Sequence, residues 1–221
     1  MKKILFLMLV LFGLTSYAQI DRDQLSLDIS KADAANMEEL KAFIWKKQSV
    51  VTVGGVEKLT TLNEISVDEH DSITIRNIDA STTVKQKRGI RGRVQQNTAE
   101  SNLDYVGKAL RMAMAYTFMT KGQLLDFFSK AEITEKDGII EASAKDVHAK
   151  GDMLTLQVES ETKLFRSKKF SSIMDGDPIS GTIEYAKFKS GISHVSKSSM
   201  NLPAKDAVIR SENIEYLQRV K

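Results

Sequence analysis

The chain has 221 residues, no cysteine, two prolines and a formal net charge of +3. Without cysteine there are no disulfides, no thiolate metal sites, no iron–sulfur clusters and no lipid-modified cysteine anchor. The charge falls to +1 once Lys2 and Lys3 leave with a cleaved leader, which gives no global attraction to nucleic acid or acidic lipid. Residues 1–18 read as that leader. Lys2 and Lys3 precede an apolar run from Ile4 to Leu14, and Ser16-Tyr17-Ala18 has the small-x-small cleavage pattern. The run is too short to span a bilayer, so an exported chain of residues 19–221, periplasmic or extracellular and not integral to the membrane, is expected.

In chain order, Gln19 to Ser30 reads as a polar arm. From Asp33 the spacing of Met37, Leu40, Phe43 and Ile44 predicts a helix. Asn36 and Glu39 have capping-box spacing, and Lys46-Lys47 suits the helix end, with Trp45 in the last turn. The period then changes to two. Ser49 to Val53, the Gly54-Gly55 turn and the strand from Val56 towards Asp68 predict a hairpin. His70-Asp71-Ser72 turns the chain into a third strand marked by Ile73, Ile75 and Ile78. Lys85, Lys87, Arg88, Arg91 and Arg93 then form a basic run, which reads as a solvated connector or as a contact for an anionic partner. It has no interleaved aromatic residues, so nucleic acid is not expected as a partner.

Ala99 to Lys130 is the long helical stretch. Leu103, Val106, Leu110, Ala113, Met114 and Thr117 make one apolar stripe, Gly122 interrupts, and Leu124, Leu125, Phe127 and Phe128 continue it. Met112 and Met119 fall off that stripe, either exposed or on a second apolar surface. A polar run from Glu132 to Gly138 leads back into β-patterned sequence, with strands expected over Ile139–His148, Leu154–Val158, Thr162–Phe170, Ile179–Tyr185, Ser193–Met200 and Val208–Val220. Asp175-Gly176-Asp177-Pro178 and Lys189-Ser190-Gly191 are turns, and Pro203 marks the last connection. The fold class is therefore α+β: one strongly curved antiparallel sheet, an incomplete barrel, packed on an N-terminal helix and a central helical segment, in a single domain over 19–221.

Catalytic patterns are missing. His70, His148 and His194 lack partners at metal-ligand spacing, Gly191-Ile192-Ser193-His194 is not a nucleophile elbow, and no phosphate-cradling glycine loop occurs. No enzymatic activity, cofactor or metal is expected. The flexible and bulky side chains of the central segment suit an apolar cavity instead. Leu110, Met112, Met114, Phe118 and Phe128 are the residues expected to line it, with Arg88, Arg91 and Arg93 meeting an anionic head group or partner.

The mature chain also resembles an uncharacterised family of secreted bacterial proteins. The resemblance rests on Trp45-Lys46-Lys47, Lys87 to Arg93, Asp175-Gly176-Asp177-Pro178 and Leu202-Pro203-Ala204-Lys205. The order of elements is similar to the outer-membrane lipoprotein carrier (LolA-like) architecture. That resemblance implies a curved antiparallel sheet closed over by helices, with a cavity for lipid or lipoprotein acyl chains. The implied function is an exported carrier. The alternative is an envelope interaction or structural module with a filled core, whose partner is another envelope protein.

Overall fold

A computed structural model describes residues 21–68, 72–82 and 90–219, with side chains described over 21–68, 72–81 and 104–219. The expected leader and Arg88 lie outside these residues. Ten strands form one antiparallel sheet: β1 (Phe43–Val53), β2 (Val56–Val67), β3 (Ile73–Thr82), β4 (Glu132–Lys136), β5 (Ile139–Lys145), β6 (Met153–Glu159), β7 (Phe165–Met174), β8 (Asp177–Lys187), β9 (Ser193–Leu202) and β10 (Ala207–Gln218). Their order is β3-β2-β1-β10-β9-β8-β7-β6-β5-β4, so the sheet is unclosed, with β3 and β4 at its edges. Three helices accompany it: α1 (Arg22–Leu40), α2 (Ile90–Thr117) and α3 (Lys121–Lys130). The expected α+β class and antiparallel sheet are both present.

Turn chemistry sets much of the register. Gly54 and Gly55 take positive φ at the β1–β2 hairpin, as do Asp175 and Gly176 between β7 and β8. Two consecutive left-handed residues match the twist of the strands they join, and the Asp-Gly and Gly-Gly pairs supply them at low cost. The inner face alternates as a half-buried strand must: Leu154, Leu156 and Val158 on β6 are fully buried, and Ile179, Gly181 and Ile183 follow on β8.

Several expectations are corrected. The segment expected as an arm is the first half of α1, which starts at Arg22 with Asp21 accepting from the N–H groups of Asp23 and Gln24. Its buried side is Leu25, Ser26, Ile29, Ser30 and Leu40, and the two serines hide the apolar period. The helix does not reach Lys47. Phe43, Ile44 and Trp45 belong to β1, where pairing with β2 and β10 overrides helical spacing. Asn36 is no cap. Its side-chain amide donates to the Ser193 carbonyl at 2.8 Å and accepts from the Ser193 N–H at 2.6 Å, which ties α1 to β9.

The helical break falls before Gly122. Thr120 caps α3 in a capping box with Gln123, and Gly122 lies inside the first turn of α3. α2 begins at Ile90, so Arg91 and Arg93 of the basic run open a helix. Glu132–Lys136, expected as a polar run, is the short edge strand β4. His148 lies in the β5–β6 loop because β5 ends at Lys145.

Candidate binding surface on the central helix

α2 is apolar on two sides. The side against the sheet carries Tyr105, Ala109 and Tyr116, all buried, with Met112 packed partly against the same core. On the opposite side Leu110, Met114 and Phe118 recur every four residues and are 36%, 39% and 42% exposed. Side chains four apart share one helical face, so the three form a continuous outward stripe. The stripe expected to face the sheet is therefore split. Leu110 and Met114 look outward, whereas Val106 and Ala113 of the same stripe pack against the core beside the tyrosines and Ala109. Phe128 is fully buried on α3, packed edge-on against Phe127 with ring centroids 5.1 Å apart. Of the five residues expected to line a cavity, Leu110, Met114 and Phe118 come together on the surface, Met112 is half-buried and Phe128 belongs to the core.

Arg111 borders the stripe. It is exposed, and its guanidinium lies back over Gly107, where a Cβ would stand 3.6 Å from it. Lys108 is spoken for by Asp175 at 3.0 Å and Asp104 at 3.8 Å, which pins α2 to the β7–β8 turn. Tyr105 makes a parallel tie, donating to Asp177 at 3.1 Å. Arg91 and Arg93 stand at the start of α2. At ~1.5 Å per residue, Arg93 is about 25 Å from Leu110 along the helix axis.

Two buried polar assemblies position the C-terminal half of α2, and neither was expected. Tyr116 donates to the Asp152 carboxylate at 2.6 Å, and Asp152 also accepts from the N–H groups of Val147, His148 and Ala149 at 2.6, 2.9 and 3.1 Å. Burial alone would raise the Asp152 pKa. These hydrogen bonds outweigh it and hold the carboxyl below its ordinary value. Burial and the same bond push the Tyr116 hydroxyl up. The Tyr116 ring stacks on Phe170 at 4.3 Å and meets His148 edge-on at 4.7 Å. The buried Nε2 of His148 has no hydrogen-bond partner among the described residues, and desolvation lowers its pKa.

Lys168 of β7 is the second assembly. Its residue is 1% exposed, its Nζ donates to the Thr117 carbonyl at 2.8 Å, and the ammonium sits 4.0 Å from the centre of the Phe165 ring. Burial pushes its pKa down to about 8, opposed by the charge of Asp33 on α1. Asp33 is itself raised by burial, against the pull of Lys168. The last carbonyls of a helix lack intrahelical donors, and a lysine amine satisfies one here. The only signal in the sequence was a lysine at an inward position of an alternating strand.

The far face of the sheet is polar. Two adjoining open grooves of about 400 and 300 Å³ share Thr182 and Glu184 there, one reaching Lys197 and Arg210, the other Arg166 and Lys169. Among the described residues no group of three or more His, Asp or Glu side chains is placed to hold a metal ion. No helix among them is long and apolar enough to cross a membrane.

No family model matches the chain, and no curated protein matches it in sequence. Similar solved structures exist. A LolA superfamily protein from Nitrosomonas europaea superposes with a TM-score of 0.40 at 12% identity, over 89% of this chain and 94% of that one. A domain described as outer membrane lipoprotein-sorting, from Vibrio parahaemolyticus, gives 0.40 at 8% identity over 88% and 92%. A DUF1329 family protein from Desulfovibrio piger gives 0.38 at 10% identity over 90% and 92%.

Proposed function

We propose that this chain is an exported, non-enzymatic binding protein that takes up an acyl chain or another amphipathic molecule along α2. The observation that carries the reading is the outward stripe of Leu110, Met114 and Phe118, each more than a third exposed on a helix whose other side is already buried. Isolated apolar side chains on a surface need no explanation, but three in line along the end of α2, with Phe118 immediately past its last residue, form a patch that water solvates poorly. Met114 at the middle of the stripe is unbranched and flexible, and such a side chain adapts to a flexible ligand chain. Arg111 beside the stripe, Arg91 and Arg93 at the head of the helix, and Arg88 just before it in sequence are the cations an anionic head group would meet. The gain is apolar burial, about 25 cal/mol for each Å² removed from water, less the cost of ordering the ligand.

The inner side of α2 favours a surface ligand over an enclosed one. Tyr116, Phe127 and Phe128 are fully buried between helices and sheet, so the space there is occupied among the described residues. The same filling supports a second reading, in which the stripe receives an apolar segment of another envelope protein. Native mass spectrometry of the protein purified from its own envelope, followed by organic extraction, separates the two. A reproducible lipid or lipopeptide adduct, lost on Met114→Ser with Phe118→Ser, fits the first reading. An apo mass with no uptake of added lipid removes it and leaves the second.

A further inference from the structure

The two edges of the sheet are built differently. β4 is five residues long, and its exposed Glu132, Glu135 and Lys136 discourage another strand from pairing with it. β3 is ten residues long, and every residue from Thr74 to Ser81 is exposed. It carries Ile75 at 54% and Ile78 at 43% exposure. Its two charges are handled unequally. Arg76 pairs with Glu64 of β2 at 2.8 Å, whereas the Asp79 carboxylate has no side-chain hydrogen bond or ion pair among the described residues.

We propose that β3 pairs antiparallel with β3 of a second copy of this chain, in the register that sets Arg76 opposite the partner's Asp79. Two features select that register. Ile78 is an extra residue in the β2–β3 ladder, since Asn77 pairs with Asn63 and Asp79 with Leu62. A one-residue bulge switches which alternate residues aim their N–H and C=O groups away from β2. Two copies of β3 therefore mesh when an even-numbered residue of one half meets an odd-numbered residue of the other half. A two-fold axis through the Asn77–Ile78 peptide meets that requirement along the whole strand.

The side chains agree with the backbone. In this register Arg76 faces the partner's Asp79 twice over, once on each side of the axis, and the unpaired carboxylate gains a cation. Both side chains stand on the same face, because Arg76 lies beside Glu64 and Asp79 beside Leu62, two positions of equal parity on β2. On the other face Ile75 extends the Trp45–Ile65 row, and the partner's Ala80 would cover its open side. Opposite charges directly across an antiparallel pair stabilise it and like charges destabilise it.

Charge reversal tests the pairing through sedimentation velocity on the full mature chain. The wild type is expected to self-associate, and D79R alone or R76D alone to weaken that association about tenfold or more, since each variant places two like-charged pairs across the axis. Mixing the two variants restores both attractive pairs and should yield a mixed dimer of near wild-type affinity. A folding defect in either variant cannot produce that rescue. A wild type that stays monomeric overturns the proposal. So does a dimer that both variants leave unchanged, or a mixture that forms no heterodimer.

Discussion

Lys168 donates from its buried ammonium to the carbonyl oxygen of Thr117 at 2.8 Å, so the end of α2 is held by a lysine from the middle of the sheet. This contact sets where the outward stripe ends, because Phe118 is the next residue and the chain turns into α3 directly after it. Removing the amine would strip a helix carbonyl of its partner. Keeping it buries the amine in a site lined by Phe165 and Tyr185.

That burden gives a pH signature. The Lys168 pKa is pushed down to about 8 by burial, whereas an unfolded lysine titrates near 10.5. Between those values the unfolded chain holds a proton that the folded chain has released, so this group makes stability rise with pH. Tyr185 limits the window. Burial and Asp33 push its hydroxyl well above 10, so stability falls again once unfolded tyrosines ionise. Urea titrations between about pH 8 and 9.5 should show a stability that climbs for the wild type and stays flatter for Lys168→Met. Equal slopes would mean that Lys168 is not desolvated as described.

The Asp152 hub should cost more to remove than any single bond to it. Asp152→Ala leaves three loop N–H groups and the Tyr116 hydroxyl without their acceptor, a loss of about 3 kcal/mol or more. Tyr116→Phe loses one bond to a charged group, about 1.5–3 kcal/mol, and keeps the ring stacked on Phe170. Chemical denaturation of both variants checks the order. A larger loss for Tyr116→Phe would contradict it.

Gly181 is needed for space. A Cβ there would stand 2.5 Å from two ring atoms of Phe170 and 3.1 Å from the Ser199 carbonyl. Phe170 cannot swing aside freely, because its ring is stacked on Tyr116 at 4.3 Å. Gly181→Ala should destabilise by about 1–3 kcal/mol. Pairing it with Phe170→Leu should make the two losses less than additive in a double-mutant cycle.

The β meander and its hairpins were readable from the sequence, because Gly54-Gly55 and Asp175-Gly176 dictate local backbone and the strands alternate cleanly. α1 was only half readable. Ser26 and Ser30 occupy buried positions that a hydropathy period cannot recognise. α2 is legible as a helix but its face only in part, since Val106 and Ala113 pack on the core as expected and Leu110 and Met114 do not. Leu110 and Met114 outscore Tyr105, Ala109 and Tyr116 in hydropathy, yet the tyrosines are the buried set, because their hydroxyls find Asp177 and Asp152. Those partners lie 72 and 36 residues away in the chain, and no local pattern announces them.

Binding along α2 is tested most directly by labelling the protein with a photoactivatable fatty acid and mapping the adduct by tryptic mass spectrometry. The account predicts a saturable adduct on the peptide from Met112 to Lys121, which carries Met114 and Phe118, and its loss on Leu110→Ser with Met114→Ser and Phe118→Ser. An adduct confined to the polar face around Thr182 and Arg210, or no saturable adduct at all, would contradict it.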